Sequence, residues 1–471
     1  MAADATPPEV RGGAEQPRVV VVGAGFGGLR VVRGLRNTPC RVTLIDRRNH
    51  HTFQPLLYQV ATAVLSPADI AAPIRTIFRR QENVRVLLGE ATRIDLAARA
   101  VEVCGEPVRY DWLVLATGVT HAYYGHEEWA PLAPGLKTVE DALEIRRRML
   151  LAFEAAEQEE DPEVRSSKLT FVIVGGGPTG VEMAGALREI ASRTVAADYR
   201  SVDTTTARVV VAEGRERLLP TMSPAASRKA LHALREMGVE VKLETFVTEV
   251  EEGGVRLGEE RLPAANVIWA AGVRGSPLAR TLAGVPLDPS GRVRVERDCS
   301  LPGRPEVFVI GDLAAQVDAG TGRPVPGVAQ GAIQMGGFVA RVIADSIARG
   351  EALPVRRPFH FRDKGVLATI GRARAVADLG GQTWSGLPAW VLWSLVHISF
   401  LIGFRNRILV MVNWAWQWLF HTRGARLITE VPNVCRALRG APIRDPGQER
   451  GGLAENASES LEAMRRIEGG A

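Results

Sequence analysis

Three glycines, Gly23-x-Gly25-x-x-Gly28, directly follow the β-branched run Arg18–Val22, and an acid, Asp46, ends the next apolar run. In such a pattern the first glycine makes a tight turn and the second lets the backbone approach a pyrophosphate. The third lets a helix pack on its strand. The helix N-terminus then presents its N–H groups and dipole to phosphate, and Asp46 accepts from ribose hydroxyls. The pattern recurs as Gly175-x-Gly177-x-x-Gly180, with Glu182 two residues later and Glu213 just after the run Arg208–Ala212. A carboxylate at Glu213 hydrogen-bonds a 2′-hydroxyl and repels a 2′-phosphate, which favours NADH over NADPH. Arg215 is close enough to blur that choice.

These motifs need strands and helices around them. Residues 29–35 read as a helix and Arg41–Asp46 as a parallel strand, which completes one βαβ unit. Residues 169–174, a helix from Val181 and Arg208–Ala212 repeat it. Residues 110–118 and 266–272 are apolar strands that end in small-residue turns and close the two units. Residues 306–312 form one more buried strand ending in Gly311-Asp312. Two such folds imply two nucleotides, one that stays and one that comes and goes. Flavin plus NAD(P)H works in this way, with hydride passing from nicotinamide to flavin. The fold class predicted is α/β, with two Rossmann-like dinucleotide-binding domains (FAD and NADH) and a C-terminal membrane-associating helical region. The FAD-binding domain is expected over 17–125 and 295–370 and the NADH-binding domain over 126–294. A membrane-associating region follows over 371–440. A disordered lead-in, 1–16, and a polar, Gly-rich tail, 441–471, flank them.

A chain of 471 residues is too long for one core, and 46% hydrophobic with 24% charged residues is ordinary for a globular protein. Charge is uneven: residues 356–450 carry 14 Lys and Arg against 5 Asp and Glu. Such asymmetry points to an anionic partner, lipid or nucleic acid. Six of the nine tryptophans fall between Trp384 and Trp418, five of them within the uncharged runs 385–404 and 408–422. Tryptophan among long apolar runs suits a lipid boundary better than phosphate readout, so no nucleic-acid partner is expected. Pro388, His397, Asn413 and Gln417 disfavour a spanning hairpin. The expectation is a peripheral, monotopic protein on the cytoplasmic side of the cell membrane, its tryptophan rings at headgroup level and Arg405, Arg407, Arg423 and Arg426 on anionic lipid. Burial in a homodimer would absorb part of the same surface. The N-terminal residues lack the apolar core of a signal peptide. Cys40, Cys104, Cys299 and Cys435 form no CxxC or CxxxxC pair, and no third ligand joins His50 and His51, so neither a redox dithiol nor a metal is expected.

Beyond the generic fingerprints, three stretches are specific: NHHTFQPLLYQVAT at 49–62, PGVAQGAIQ within 325–334, and DKGVLATIGRARAVAD at 363–378. With them, residues 19–438 resemble the type II NADH dehydrogenases, single-subunit NADH:quinone oxidoreductases that pump no protons. The resemblance implies FAD at Gly23, Gly25, Gly28 and Asp46, with Asp312 at the ribityl–phosphate region. It implies NADH at Gly175, Gly177, Gly180 and Glu213, with Glu182 near the meeting point of flavin and nicotinamide. Gln330 and Gln334 match an AQxxxQ pair beside the quinone entrance, and Lys364 a lysine near the flavin and quinone. Glu182, Gln330, Gln334 and Lys364 are therefore the expected catalytic residues. Phe26, Gly27, Gln54, Ala116, Thr117, Gly118, Pro178, Thr179, Ala271, Gly272, Gly311 and Ala329 complete the expected cofactor-binding set, to which Gln330 also belongs. The expected acceptor is a membrane quinone, ubiquinone or menaquinone. A sulfide:quinone oxidoreductase is the nearest alternative, but that chemistry needs cysteines flanking the flavin. A non-catalytic NADH-binding redox sensor is the alternative from another class.

Overall fold

The structure, a computed structural model, describes residues 16–350, 356–420 and 424–429. Residues 1–15 of the expected lead-in, Arg423 and the expected tail lie outside the described residues. Contacts divide the chain into two units. The first comprises Met1–Thr52, Ala71–Thr120 and Val273–Lys364, and the second Phe53–Ile70, His121–Gly272 and Gly365–Ala471.

In the first unit the valine run Arg18–Val22 has no polar alternation, so it suits a strand covered on both faces. It sits inside a six-stranded sheet, in the order Ser300–Leu301, Arg304–Val309, Trp112–Leu115, Arg18–Val22, Arg41–Asp46, Val84–Leu88. Every neighbouring pair is parallel except the outermost, Ser300–Leu301 with Arg304–Val309. The partners of Arg18–Val22 lie on opposite sides of it, which opens a crevice at its C-terminal end, where open α/β sheets bind ligands. The helices Phe26–Gly34 and Ala329–Arg349 approach closely through small residues. A Cβ on Gly336 would lie 2.5 Å from the Gly27 carbonyl oxygen, and one on Gly34 2.5 Å from Ala340 Cβ.

The second unit repeats the plan with four parallel strands, in the order Glu240–Lys242, Arg208–Ala212, Thr170–Val174, Asn266–Trp269. In each unit a three-stranded antiparallel meander precedes the closing strand: Ala91–Asp95, Ala100–Val103 and Glu106–Arg109 in the first, Val247–Glu251, Gly254–Leu257 and Glu260–Pro263 in the second. Both fingerprint helices begin inside their glycine motifs, at Phe26 and Pro178, about one turn before the expected starts. An extended glycine N-cap, and in the second case a proline at the first helical position, allow this.

The second unit ends in a three-stranded antiparallel sheet, Val366–Gly371, Arg374–Leu379 and Gln382–Ser385, followed by the helices Leu387–Phe400 and Phe404–Phe420. No helix among the described residues is long and apolar enough to cross a membrane. Both C-terminal helices expose apolar side chains at helical spacing: Leu387, Val391 and Leu395 on the first, Phe404, Ile408, Val412, Trp416 and Leu419 on the second. The tryptophans divide, which corrects the expectation that their rings all sit at headgroup level. Trp393 is buried, Trp414 donates Nε1–H to Gln59 Oε1 at 2.7 Å, and Trp384 and Trp416 remain exposed. The arginines divide too. Arg407 caps the preceding helix through the Leu401 and Ser399 carbonyls, and Arg426 pairs with Asp198 instead of standing free for lipid.

Strand Val366–Gly371 presses on helix Pro178–Glu189 at one point, where a Cβ on Gly185 would lie 1.5 Å from the Ile370 carbonyl oxygen. Gly185→Ala should therefore destabilise by about 1–3 kcal/mol as an overpacked contact, despite alanine's better helix propensity. Denaturant melting measures this, and an unshifted midpoint would show that the strand yields freely.

Candidate functional sites in the two units

Gly23 has φ +103°, and a Cβ there would lie 2.4 Å from the Ala116 carbonyl oxygen. A Cβ on Gly28 would lie 1.8 Å from the Gly23 carbonyl oxygen, whereas Gly25 faces open space. Gly175, Gly180 and Gly177 repeat these three environments, with φ +106° at Gly175, 1.9 Å from Gly180 to the Gly175 carbonyl oxygen, and open space at Gly177. No side chain caps either helix at Gly25 or Gly177, so the first-turn N–H groups face the place a pyrophosphate would take.

The two strand-end acids also match. Asp46 accepts from Ala24 N–H at 2.6 Å and Arg48 N–H at 2.8 Å. Glu213 accepts from Gly176 N–H at 2.6 Å and Arg215 N–H at 2.9 Å. Each carboxylate thus ties its glycine loop to the chain beyond its own strand. Each oxygen keeps further acceptor capacity for a ribose hydroxyl.

The first cradle has marks of a resident group. Thr117 Oγ1, beside the turn Ala116–Gly118, is buried without a hydrogen-bond partner, as is Nε2 of His51. His51 Nδ1 contacts the Ala24 carbonyl oxygen at 2.9 Å, its ring meets Phe26 edge-on at 5.0 Å, and burial lowers its pKa. Asp312 and Gly311 lie in a short turn after strand Arg304–Val309, with Asp312 against Gly327. These residues fit a dinucleotide such as FAD. Gly27 instead turns toward helix Ala329–Arg349, where a Cβ would meet Ile310 and Ala332. Gln54 belongs to the second unit, where it donates to the Lys137 carbonyl at 3.3 Å.

Helix Ala329–Arg349 starts with Ala329, and its Gln330 and Gln334 share a face, as their spacing implied. Gln330 Oε1 accepts from Lys364 N–H at 3.2 Å. Gln334 takes both backbone groups of Arg362, donating to its carbonyl and accepting from its N–H, each at 2.9 Å. The glutamines thus hold the segment that carries the exposed Lys364.

Glu182 lies on helix Pro178–Glu189, one turn before Gly185. The close contact at Gly185 brings it against strand Val366–Gly371, where its carboxyl accepts from Thr369 N–H. It lines a cavity of about 110 Å³ with Gln59, Trp390, Trp393, Trp414 and Thr369. Burial among these residues pushes its pKa up to about 8 against the opposing pull of the Thr369 hydrogen bond. Trp393 Nε1 is buried in the same wall without a partner, and its ring stacks on His397 at 4.3 Å. Sequence reading marked Glu182 but not Gln59, Trp393 or Trp414 as its neighbours. Strand periodicity carried no signal that the stretch 53–70 would join it.

Residues 17–336 match the family model described as pyridine nucleotide-disulphide oxidoreductase, and residues 364–423 the NDH2 C-terminal domain. The chain is 44% identical over 425 residues to the type II NADH:quinone oxidoreductase Ndh of Mycobacterium tuberculosis, covering 88% of this chain and 90% of that protein. The chain belongs to the type II NADH:quinone oxidoreductases. The type II enzyme of Staphylococcus haemolyticus is 31% identical over 386 residues, covering 80% of this chain and 92% of its own. Among solved structures, NDH2 of Plasmodium falciparum in complex with NADH shares the fold at TM-score 0.79 and 20% identity, covering 87% of this chain and all of that one. The sulfide:quinone oxidoreductase of Aquifex aeolicus shares it less closely, at TM-score 0.67 and 19% identity over 86% of this chain and 95% of that one.

FAD and NADH are the nucleotides of this type II family member. Burial pushes the Cys40 thiol up to about 11 and raises Cys299 well above its ordinary value, which suits inert side chains. Cys435 lies outside the described residues. Replacing Glu213 by Gln should remove the repulsion of a 2′-phosphate, while its one amide oxygen can keep only one of the two backbone N–H bonds. The NADH-to-NADPH ratio of kcat/KM should then fall at least several-fold. A ratio that stays put would assign the choice to Arg215.

Proposed function

We propose that this chain oxidises NADH and passes the electrons through FAD to a membrane quinone, without moving protons across the bilayer. The observation that carries the reading is the duplicated cradle: two uncapped helix N-termini, each with a strand-end acid clamped to its loop. Bound FAD supplies the chemistry that accepts a hydride and releases electrons singly or in pairs.

In this reading the Gly25 loop, Asp46 and Asp312 hold FAD, and the Gly177 loop and Glu213 hold NADH. Gln330 and Gln334 are positioning residues that fix Lys364. Glu182 is the acid. Reducing a quinone takes two electrons and two protons, and NADH brings a hydride, so a further proton must come from the medium. A carboxyl with its pKa near 8 is mostly protonated at neutral pH and can relay that proton. Protonated Glu182 is a donor in a cavity lined by four tryptophans together with Glu189, Arg193 and Arg372, the unpartnered Trp393 Nε1–H lies buried in its wall, and a quinone carbonyl is an acceptor. The same donors would tolerate either ubiquinone or menaquinone.

The apolar stripes of the last two helices would lie in the lipid interface, with exposed Arg405 toward anionic headgroups. The protein would sit on the cytoplasmic face, where NADH is produced. Burial of the same stripes between two copies is the second reading, favoured by the exposure of Phe404 and Leu419. Flotation with anionic vesicles, set against the mass of the detergent-free protein, separates the two.

Purified chain should be yellow, release FAD on denaturation and oxidise NADH with a short-chain quinone. A colourless protein that cannot be reconstituted with FAD would refute the proposal. Because Glu182 donates only while protonated, quinone reduction should fall as pH rises through about 8. Glu182→Gln should be slower throughout and lack that limb. In stopped-flow measurements Gln334→Ala should leave flavin reduction by NADH nearly intact and slow reoxidation by quinone. Equal loss in both steps would make Gln334 a support of the flavin.

A further inference from the structure

Phe246 is 69% exposed, and nothing in the roles assigned above uses it. Its place is fixed by the backbone. Thr245 N–H donates to the Glu213 carbonyl and Glu244 N–H to the Arg215 carbonyl, each at 3.0 Å, while Gly258 N–H donates to the Phe246 carbonyl at 2.9 Å. The loop 244–246 is therefore stitched to the loop that carries Glu213. The ring itself lies directly on Gly214, the residue after the acid. A Cβ on Gly214 would lie 2.6 Å from Phe246 Cε1, so any other residue would push the ring away. One side of the ring rests on this backbone and much of the rest is open.

The chemistry of the neighbouring site says what that surface suits. The strand-end acid takes the hydroxyls of the adenosine ribose, and the glycine loop before it takes the pyrophosphate. The base attached to that ribose must then extend past the acid, away from the pyrophosphate. In this unit the residues past Glu213 are Gly214 and Arg215, and Phe246 is the aromatic ring packed on Gly214. A purine is flat and apolar on its faces, and an aromatic ring held in one orientation stacks on it with little loss of side-chain freedom.

We infer that Phe246 is the stacking platform for the adenine of NADH, and that it sets the enzyme's affinity for the adenosine half of its substrate. This inference rests on the proposed binding of NADH at Glu213. It assigns the ring a binding role and no part in hydride transfer.

Two probes test it on the purified, flavin-loaded full chain. ADP-ribose carries the adenosine and pyrophosphate without nicotinamide. Reduced nicotinamide mononucleotide carries the nicotinamide without adenosine. Phe246→Ala should raise the Kd for ADP-ribose by calorimetry, and the KM for NADH, by roughly five- to thirtyfold, the effect expected when base–aromatic stacking is removed. The maximal rate with NADH should hold, and kcat/KM for the mononucleotide should match wild type. Phe246→Trp should bind ADP-ribose at least as well as wild type. An unchanged Kd for ADP-ribose in Phe246→Ala overturns the inference, as does a parallel loss with NADH and the mononucleotide. A chain that binds ADP-ribose through Phe246 yet passes no electrons from NADH to quinone would sink the proposed function and leave this inference standing.

Discussion

Everything at the two nucleotide sites depends on a carboxylate at the end of a parallel strand accepting two backbone N–H groups. Asp46 and Glu213 each reach across to the glycine loop on the neighbouring strand and down to the residue two places ahead. Without that clamp, a loop of small residues would have many backbone conformations and few contacts to choose among them. With it, the loop leaves its strand at a fixed angle and the helix N-terminus points at one spot. A charged acceptor makes stronger hydrogen bonds than a neutral one, which suits an acid to this role. In the proposed reading the same charge also discriminates between ribose hydroxyls and a ribose phosphate. Scaffold and selectivity thus share one side chain.

That economy explains why the nucleotide folds were so readable in the sequence. The turn, the close strand–helix approach, the open loop and the clamp all lie within a few dozen residues, and each demands a particular residue type. The turn and close-approach roles of Gly23, Gly28, Gly175 and Gly180 could be read from spacing alone, whereas spacing placed Asp46 and Glu213 at their strand ends without revealing the loop N–H groups they bind. The second carboxylate bond, back to Arg48 or Arg215, had no such signature, because any residue offers a backbone N–H. Glu182 lay between these cases. Its position after the fingerprint was visible, but its raised pKa was not. That shift depends on Gly185 admitting the Ile370 carbonyl, a contact between residues 185 apart in the chain.

The C-terminal helices were harder for a different reason. A run such as LPAWVLWSLVHISF is apolar on every side, so its composition cannot say which face meets protein. The structure resolves this through polar atoms that periodicity overlooks. Gln417 donates to the Val64 carbonyl at 2.8 Å, and Trp414 binds Gln59. His397 stacks on Trp393, and burial pushes its pKa down to about 4, so it sits in the apolar wall as a neutral ring. These partners fix the inner face and leave a mainly apolar stripe outward, Trp416 included. The arrangement inverts that of a helix on a soluble protein, where polar groups face water.

This inversion links the surface to the acid. The helix Leu387–Phe400 exposes Leu387, Val391 and Leu395, yet its Trp390 and Trp393 line the cavity that holds Glu182. A single helix thickness, about 10 Å, therefore separates the outward apolar stripe from the buried carboxyl. An oxidised quinone is apolar enough to reside in lipid but must receive protons to be reduced. In the proposed reading, a wall with lipid-compatible side chains outside and proton donors inside meets both requirements. The raised pKa of Glu182 then follows from the same packing. The packing that partly desolvates the carboxyl also favours its protonated form, the one able to donate at neutral pH.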